Sequence, residues 1–246
     1  MKVATTPAAP GISVRQLSLR FGQRPLFSQL DLEIAGGEIT ALLGASGVGK
    51  SSLMRVIAGL TPPTAGQVSG SDGLPLGGRI AWMGQQDLLY PWLTIEQNVC
   101  LASRLRGEKP DRDRAQHLLA RVGLSQCARA LPATLSGGMR QRAALARTLY
   151  TRQPIVLMDE PFSALDALTR SQIQTLAADV LTAHTVLLIT HDVAEACRLA
   201  HRCLVIGPAG VEACAPLAGA PPRAADDLYV IQSQATLLKQ LSRVAG

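Results

Sequence analysis

Residues 44–52 read GASGVGKSS, a glycine-rich turn that closes on Lys50 and Ser51 and lies between an apolar run, Ile39–Leu43, and a helical pattern from Lys50 to Gly59. Glycines at 44, 47 and 49 let the backbone bend and bring its N–H groups against phosphate oxygens. Lys50 adds a point charge and Ser51 a hydroxyl for Mg²⁺. A helix N-terminus offers only about half a positive charge, worth roughly 0.3–1 kcal/mol when exposed. That cannot balance a triphosphate, so Lys50 and a metal must do most of it. The GxxxxGK[ST] spacing arises by accident in roughly one chain in a hundred of this length, and the strand-to-helix setting lowers that further. The expected phosphate-binding set is Gly44, Ala45, Ser46, Gly47, Val48, Gly49, Lys50, Ser51 and Ser52.

Working outward, Ile12–Phe21 alternates polar and apolar residues and Leu26–Ile34 resumes the pattern after GQRP, so both read as antiparallel strands. The runs IVLM (155–158) and TVLLIT (185–190) have strand length and are continuously apolar, as in strands buried on both faces of a parallel sheet. A strand over Arg79–Met83 precedes a block whose apolar spacing becomes helical, as in AQHLLARVGL. The expected fold is α/β: a phosphate-binding core with a mainly parallel sheet, an N-terminal antiparallel β-subdomain, and an inserted α-helical subdomain over about residues 93–153. Residues 1–11 read as a flexible N-terminus and 12–206 as the main domain. Residues 207–246 read as an extension ending in a helix over Leu228–Arg243.

With 47% hydrophobic and 17% charged residues in 246, the chain has the composition of a globular protein with a sizeable core. Its formal charge of +6 is dispersed and not interleaved with aromatics, so no nucleic-acid partner is expected. The charge suits nucleotide phosphate and an anionic membrane surface. No apolar run approaches the roughly 20 residues that cross a bilayer, and MKVATTPAAPG lacks the apolar stretch of a secretory signal, so the expected location is the cytosol. Five cysteines without CxxC spacing read as reduced bystanders.

Two further motifs carry chemistry. In IVLMDEP an apolar strand ends in Asp159 and Glu160, and Pro161 bars its continuation. Asp159 suits Mg²⁺, while Glu160 suits orienting an attacking water or taking its proton. Alone, such a pair is a common solvated strand end; the glycine loop sharpens it. In LSGGMRQR, Ser136, Gly137 and Gly138 open a helix, giving the chain a second anion-accepting N-terminus.

With these three motifs the sequence resembles the ATP-binding subunits of ABC transporters, from about residue 12 to residue 206. The resemblance implies a P-loop NTPase core that binds and hydrolyses ATP with Mg²⁺. It also implies a head-to-tail dimer with a second copy, in which Ser136, Gly137 and Gly138 contact the γ-phosphate held by the partner's Lys50. Phe21 stands where the family has an aromatic that stacks on adenine. Gln85 matches the glutamine that approaches the metal and water, with Gln86 an alternative by one position. Ser163–Asp166 (SALD) matches the loop that crosses to the partner, and Asp166 also suits a helix N-cap. His191 matches the histidine that hydrogen-bonds the γ-phosphate. The implied catalytic set is therefore Glu160, His191, Gln85 and Lys50, with Ser51, Gln85 and Asp159 at the metal. Met139, where many relatives have Gln, departs from the pattern.

Trp82, Tyr90 and Trp92 cluster around Gln85 in a chain with few aromatics, and they read either as a docking groove for a partner's short helix or as packing of the helical subdomain. QQDLLYPWLTIEQNV resembles the nitrate, sulfonate, taurine and pyrimidine-precursor branch of ABC importers. That implies transmembrane permease subunits as partners and, indirectly, a periplasmic or lipid-anchored binding protein. It also implies a peripheral place on the cytoplasmic face of the inner membrane and a small organic cargo such as a hydroxymethylpyrimidine-type precursor. The alternative is a soluble ABC-type ATPase uncoupled from transport.

Overall fold

The computed structural model describes residues 9–22 and 24–245. Strands β1 (Ile12–Phe21) and β2 (Arg24–Ile34) form a hairpin, β3 (Ile39–Leu43) leads through the glycine turn into α1 (Lys50–Ile57), and β4 (Ala65–Gly70) returns to pair with β1. The result is a three-stranded antiparallel sheet in the order β2-β1-β4. Along β1 the buried residues are Ile12, Val14, Leu17 and Leu19. The step of three between Val14 and Leu17 falls where the register shifts and Gln16 takes φ +48°. It is a β-bulge that switches which alternate residues face inward.

Beyond β5 (Ile80–Met83) come α2 (Ile95–Val99), α3 (Leu101–Leu105), α4 (Arg112–Arg121) and α5 (Gly137–Tyr150). Then β6 (Ile155–Asp159), α6 (Ala167–Val180), β7 (Thr185–Ile189), α7 (Val193–Leu199), β8 (Arg202–Gly207), β9 (Gly210–Ala213) and α8 (Leu228–Ala245) follow. The second sheet has the order β5-β6-β7-β3-β8-β9, parallel except for β9.

Strands buried on both faces explain the continuous apolar runs. Leu42, Ile155, Leu157, Leu187 and Ile189 pack with Leu53, Met54 and Ile57 of α1 and with the inner face of the antiparallel sheet. Their alternate neighbours Ala41, Leu43, Val156, Met158, Val186 and Leu188 pack with residues of α2 and α4–α8. Helix α1 thus sits between the two sheets, and its N-terminus emerges at the C-terminal ends of β3, β6 and β7, the edge where ligands collect in open parallel sheets.

Several details differ from the sequence expectation. Strand β2 begins at Arg24, two residues before the expected start, and Pro25 is tolerated because β2 is an edge strand. Strands β4 and β9 had no alternating apolar signature: β4 is AGQVSG and mostly exposed, and β9 is GVEA. At the expected flexible N-terminus, residues 1–8 lie outside the described residues. Ala9 is buried, and Thr185 Oγ1 donates to Pro10 O at 2.8 Å. Among the described residues no helix is long and apolar enough to cross a membrane.

Candidate functional site

The turn after β3 wraps around its own lysine. Lys50 is only 7% exposed, and its Nζ donates to Gly44 O at 2.8 Å and Ala45 O at 3.0 Å. Burial pushes its pKa down, while the carboxylates of Glu160 and Asp159 push the other way. Two glycines are required sterically. A Cβ on Gly44 would lie 2.5 Å from Ile206 O, and one on Gly49, at φ +106°, would lie 2.9 Å from the Leu26 side chain. Ser46, Gly47, Gly49, Lys50, Ser51 and Ser52 line a cleft of about 400 Å³ together with Leu26, Glu160 and His191. Gly44, Ala45 and Val48 form the back of the turn and border a separate cavity against β8.

The acid pair enters from β6. Ser51 Oγ donates to Asp159 Oδ1 at 3.1 Å, which joins two of the three sequence-predicted metal ligands. Burial raises the pKa of Asp159 and the nearby charge of Glu160 adds to this, while the Ser51 hydrogen bond opposes it. The fit to Mg²⁺ is good. A hydroxyl and a carboxylate are hard oxygen donors, and this ion binds through one or two protein oxygens with nucleotide phosphates and water completing the shell. Glu160 holds φ +47°, a left-handed conformation that costs a non-glycine residue roughly 1–2 kcal/mol. Its surroundings hold it there: Glu160 N donates to Ile189 O at 2.9 Å, and the Gln141 side chain of α5 donates to Pro161 O. His191, just past β7, places Nδ1 3.1 Å from Glu160 Oε2 and is largely exposed.

Other predicted residues stand apart from the cleft. Gln85 is exposed, and its Nε2 donates to Ser163 Oγ at 3.2 Å. Ser136 caps α5, accepting from Met139 N at 3.3 Å, and neither it nor Gly137 or Gly138 lines the cleft. Asp166 caps α6 through Thr169 N at 3.0 Å, so the N-cap reading of SALD holds. Phe21 ends β1, and its side chain lies outside what is described.

A clasp between the Gln85 segment and α5 carries no signal in the sequence. Arg140 Nε donates to Asp87 Oδ2 at 3.0 Å, and Arg147 donates to the carbonyls of Leu88 and Asp87 at 2.7 and 2.6 Å. Arg140 and Arg147 lie on the helix opened by LSGG, but only the fold shows that they face residues some 50–60 positions earlier.

A family model described as ABC transporter matches residues 27–163. The chain belongs to the ABC transporter family. It is 43% identical over 243 residues to an aliphatic sulfonates import ATP-binding protein of Paracoccus denitrificans, covering 98% of this chain and 95% of that one. A protein of the same description from Burkholderia cenocepacia is 45% identical over 206 residues, covering 82% and 75%. Among solved structures, a dimeric ATP-binding cassette in a post-hydrolysis state with ADP and Pi aligns at TM-score 0.71 and 30% identity, covering 85% of this chain and 99% of that one. The fold of cbiO1 from Clostridium perfringens aligns at TM-score 0.74, covering 82% and 86% at 24% identity. This ABC cassette therefore has the P-loop NTPase fold expected of it, and it is an ATP-binding subunit with ATPase activity.

Proposed function

We propose that this chain is the ATP-hydrolysing subunit of an importer for a small organic solute, working as a pair of identical copies beneath a separate permease. One observation carries the reading: Lys50, Ser51, Glu160 and His191 converge on one cleft, while the chain's second anion-accepting helix start, at Ser136, lies elsewhere. A second copy set head to tail would bring Ser136, Gly137 and Gly138 to the γ-phosphate held by the first copy's Lys50.

In that closed site the turn's N–H groups and Lys50 hold the phosphates. Ser51 and Asp159 would hold Mg²⁺, which neutralises phosphate charge. Glu160 orients the attacking water or takes its proton, and His191, already beside that carboxylate, reaches the γ-phosphate. Gln85 attends the metal and water and reports the state of the permease. Phe21 stacks on adenine.

The docking surface is the loop around Pro91. Tyr90 and Trp92 pack edge to face with centroids 5.3 Å apart and remain 40% and 70% exposed. The chain itself does not touch cargo; the names of its relatives support an aliphatic sulfonate as the solute class. A binding protein delivers the solute from the far side, and the subunit sits on the cytoplasmic membrane face.

The test is affinity capture from detergent-solubilised membranes of the native cell. Recovery of a hydrophobic permease, with ATPase activity that rises on reconstitution with it, is expected. Recovery of ribosomes without a membrane protein would favour the uncoupled soluble ATPase and overturn the importer reading.

A further inference from the structure

The segment 160–163 joins Glu160 to the Gln85 loop through one hydroxyl. Ser163 Oγ donates to Glu160 O at 3.0 Å and accepts from Gln85 Nε2 at 3.2 Å. A serine hydroxyl has one proton to give, so this chain of hydrogen bonds has a fixed direction, from the Gln85 amide to the Ser163 oxygen and from the Ser163 proton to the Glu160 carbonyl. Glu160 is the residue at φ +47°, a conformation that persists only where neighbours hold it. Two of those neighbours belong to packed elements, the Ile189 carbonyl of β7 and Gln141 of α5. Ser163 leads instead to an exposed residue on a loop.

That loop is not free. Arg140 and Arg147 clasp residues 87–88 to the helix that Ser136 opens, and Asn98 fixes the backbone of Tyr90 two residues further on. The stretch from Asp87 to Tyr90 is therefore held at several points. The loop's side-chain link into the acid pair is Gln85.

We propose that Ser163 is a positioning residue for hydrolysis, transmitting the position of the Gln85 segment to the backbone of Glu160 within the same chain. It touches no substrate. It holds the Glu160 carbonyl, and so the direction of its carboxylate, when Gln85 is in place, and releases it when the segment shifts. This rests on the reading of Glu160 as the residue that acts on water. It differs from the SALD contact across the dimer, because both hydrogen bonds lie inside one chain.

The test is steady-state ATP hydrolysis by the full chain carrying Ser163→Ala, Ser163→Thr, Gln85→Ala, the Ser163→Ala/Gln85→Ala pair, or Glu160→Gln. A positioning hydrogen bond is commonly worth about a factor of ten in rate. Ser163→Ala is expected to lower kcat by about that factor with KM for ATP within about twofold and Tm unchanged, while Ser163→Thr, which keeps the hydroxyl, recovers most of the rate. In the Gln85→Ala background the Ser163→Ala loss should shrink to less than about threefold, because the link is already cut. Wild-type kcat in Ser163→Ala, or an equal loss in both backgrounds, would overturn the relay. A loss in Ser163→Thr equal to that of Ser163→Ala would also overturn it. Glu160→Gln separates the two layers. If it turns over normally, the reading of Glu160 fails; if it is inactive while Ser163→Ala is fully active, only the relay fails.

Discussion

Lys50 and Asp159 are the charges the site most needs, and burial works against both: it lowers the lysine and raises the aspartate. The carboxylates of Glu160 and Asp159 oppose the shift at the lysine, and the Ser51 hydrogen bond and the Lys50 charge oppose it at the aspartate. Glu195, four residues past His191, shows the same effect more strongly. It is 4% exposed, and burial pushes its pKa up to about 7, with the charge of Asp192 adding to the rise and Thr190, Gln174 and Arg170 opposing it. The sign follows from linkage. Between its ordinary 4.5 and about 7 the unfolded chain has released a proton that the folded chain retains. Stability from this group is therefore full below the lower value and lost as pH rises toward the upper one, by roughly 3 kcal/mol in total. Urea unfolding of Glu195→Gln, in which the amide can still accept from Gln174, should lack that decline and be the more stable form at pH 8. Parallel stability–pH curves for the two proteins would contradict this. Residue identities in the cleft were legible because phosphate binding constrains their spacing along the chain. Ser163, Gln141, Asp87 and Arg140 were not read as its supports, since their partners lie between 3 and 53 residues away and are set by the fold.

At the scale of elements, the strand-turn-helix unit from Ile39 to Ile57 and the apolar strands β6 and β7 were legible from periodicity, as was α8. Strand β4 was not. Its Gly66 holds φ +86° beside the β1 bulge, where a Cβ would meet Gln16 O at 2.3 Å, and what makes it a strand is pairing with β1 rather than its own side chains. The aromatic loop before α2 could be read from sequence as either packing or docking. Asn98, fully buried, holds its backbone by accepting from Tyr90 N at 2.7 Å and donating to the carbonyls of Tyr90, Leu93 and Thr94. The rings are therefore not what holds the loop, and a Trp92 that is 70% exposed has little packing to lose. Replacing Tyr90 and Trp92 by Ala should remove only their edge-to-face contact, about 0.5–1.5 kcal/mol, leaving basal ATPase activity and shifting Tm by a few degrees at most. Binding to the permease and solute-driven stimulation should be lost. A collapse of Tm would instead assign the pair to the core.

At the scale of the whole molecule, the three-stranded sheet, α1 and the parallel sheet place one helix start, at Lys50, at the strand ends, and the helical layer presents another at Ser136. The second is rigidly set. A Cβ on Gly138 would lie 2.4 Å from the Thr169 side chain, so α5 begins in close contact with α6 and its orientation is fixed by that packing. Ser136, Gly137 and Gly138 do not line their own chain's cleft, and the proposed head-to-tail pair would bring them to the cleft of a second copy. The most direct measurement is the ATP-dependent mass of the Glu160→Gln chain by light scattering in Mg²⁺, with and without Ser136→Arg, alongside fluorescent-nucleotide binding. Glu160→Gln is expected to become a dimer with ATP, and adding Ser136→Arg to leave nucleotide binding intact but hold the protein as a monomer. A full ATP-driven dimer in the Ser136→Arg protein would contradict the head-to-tail pair.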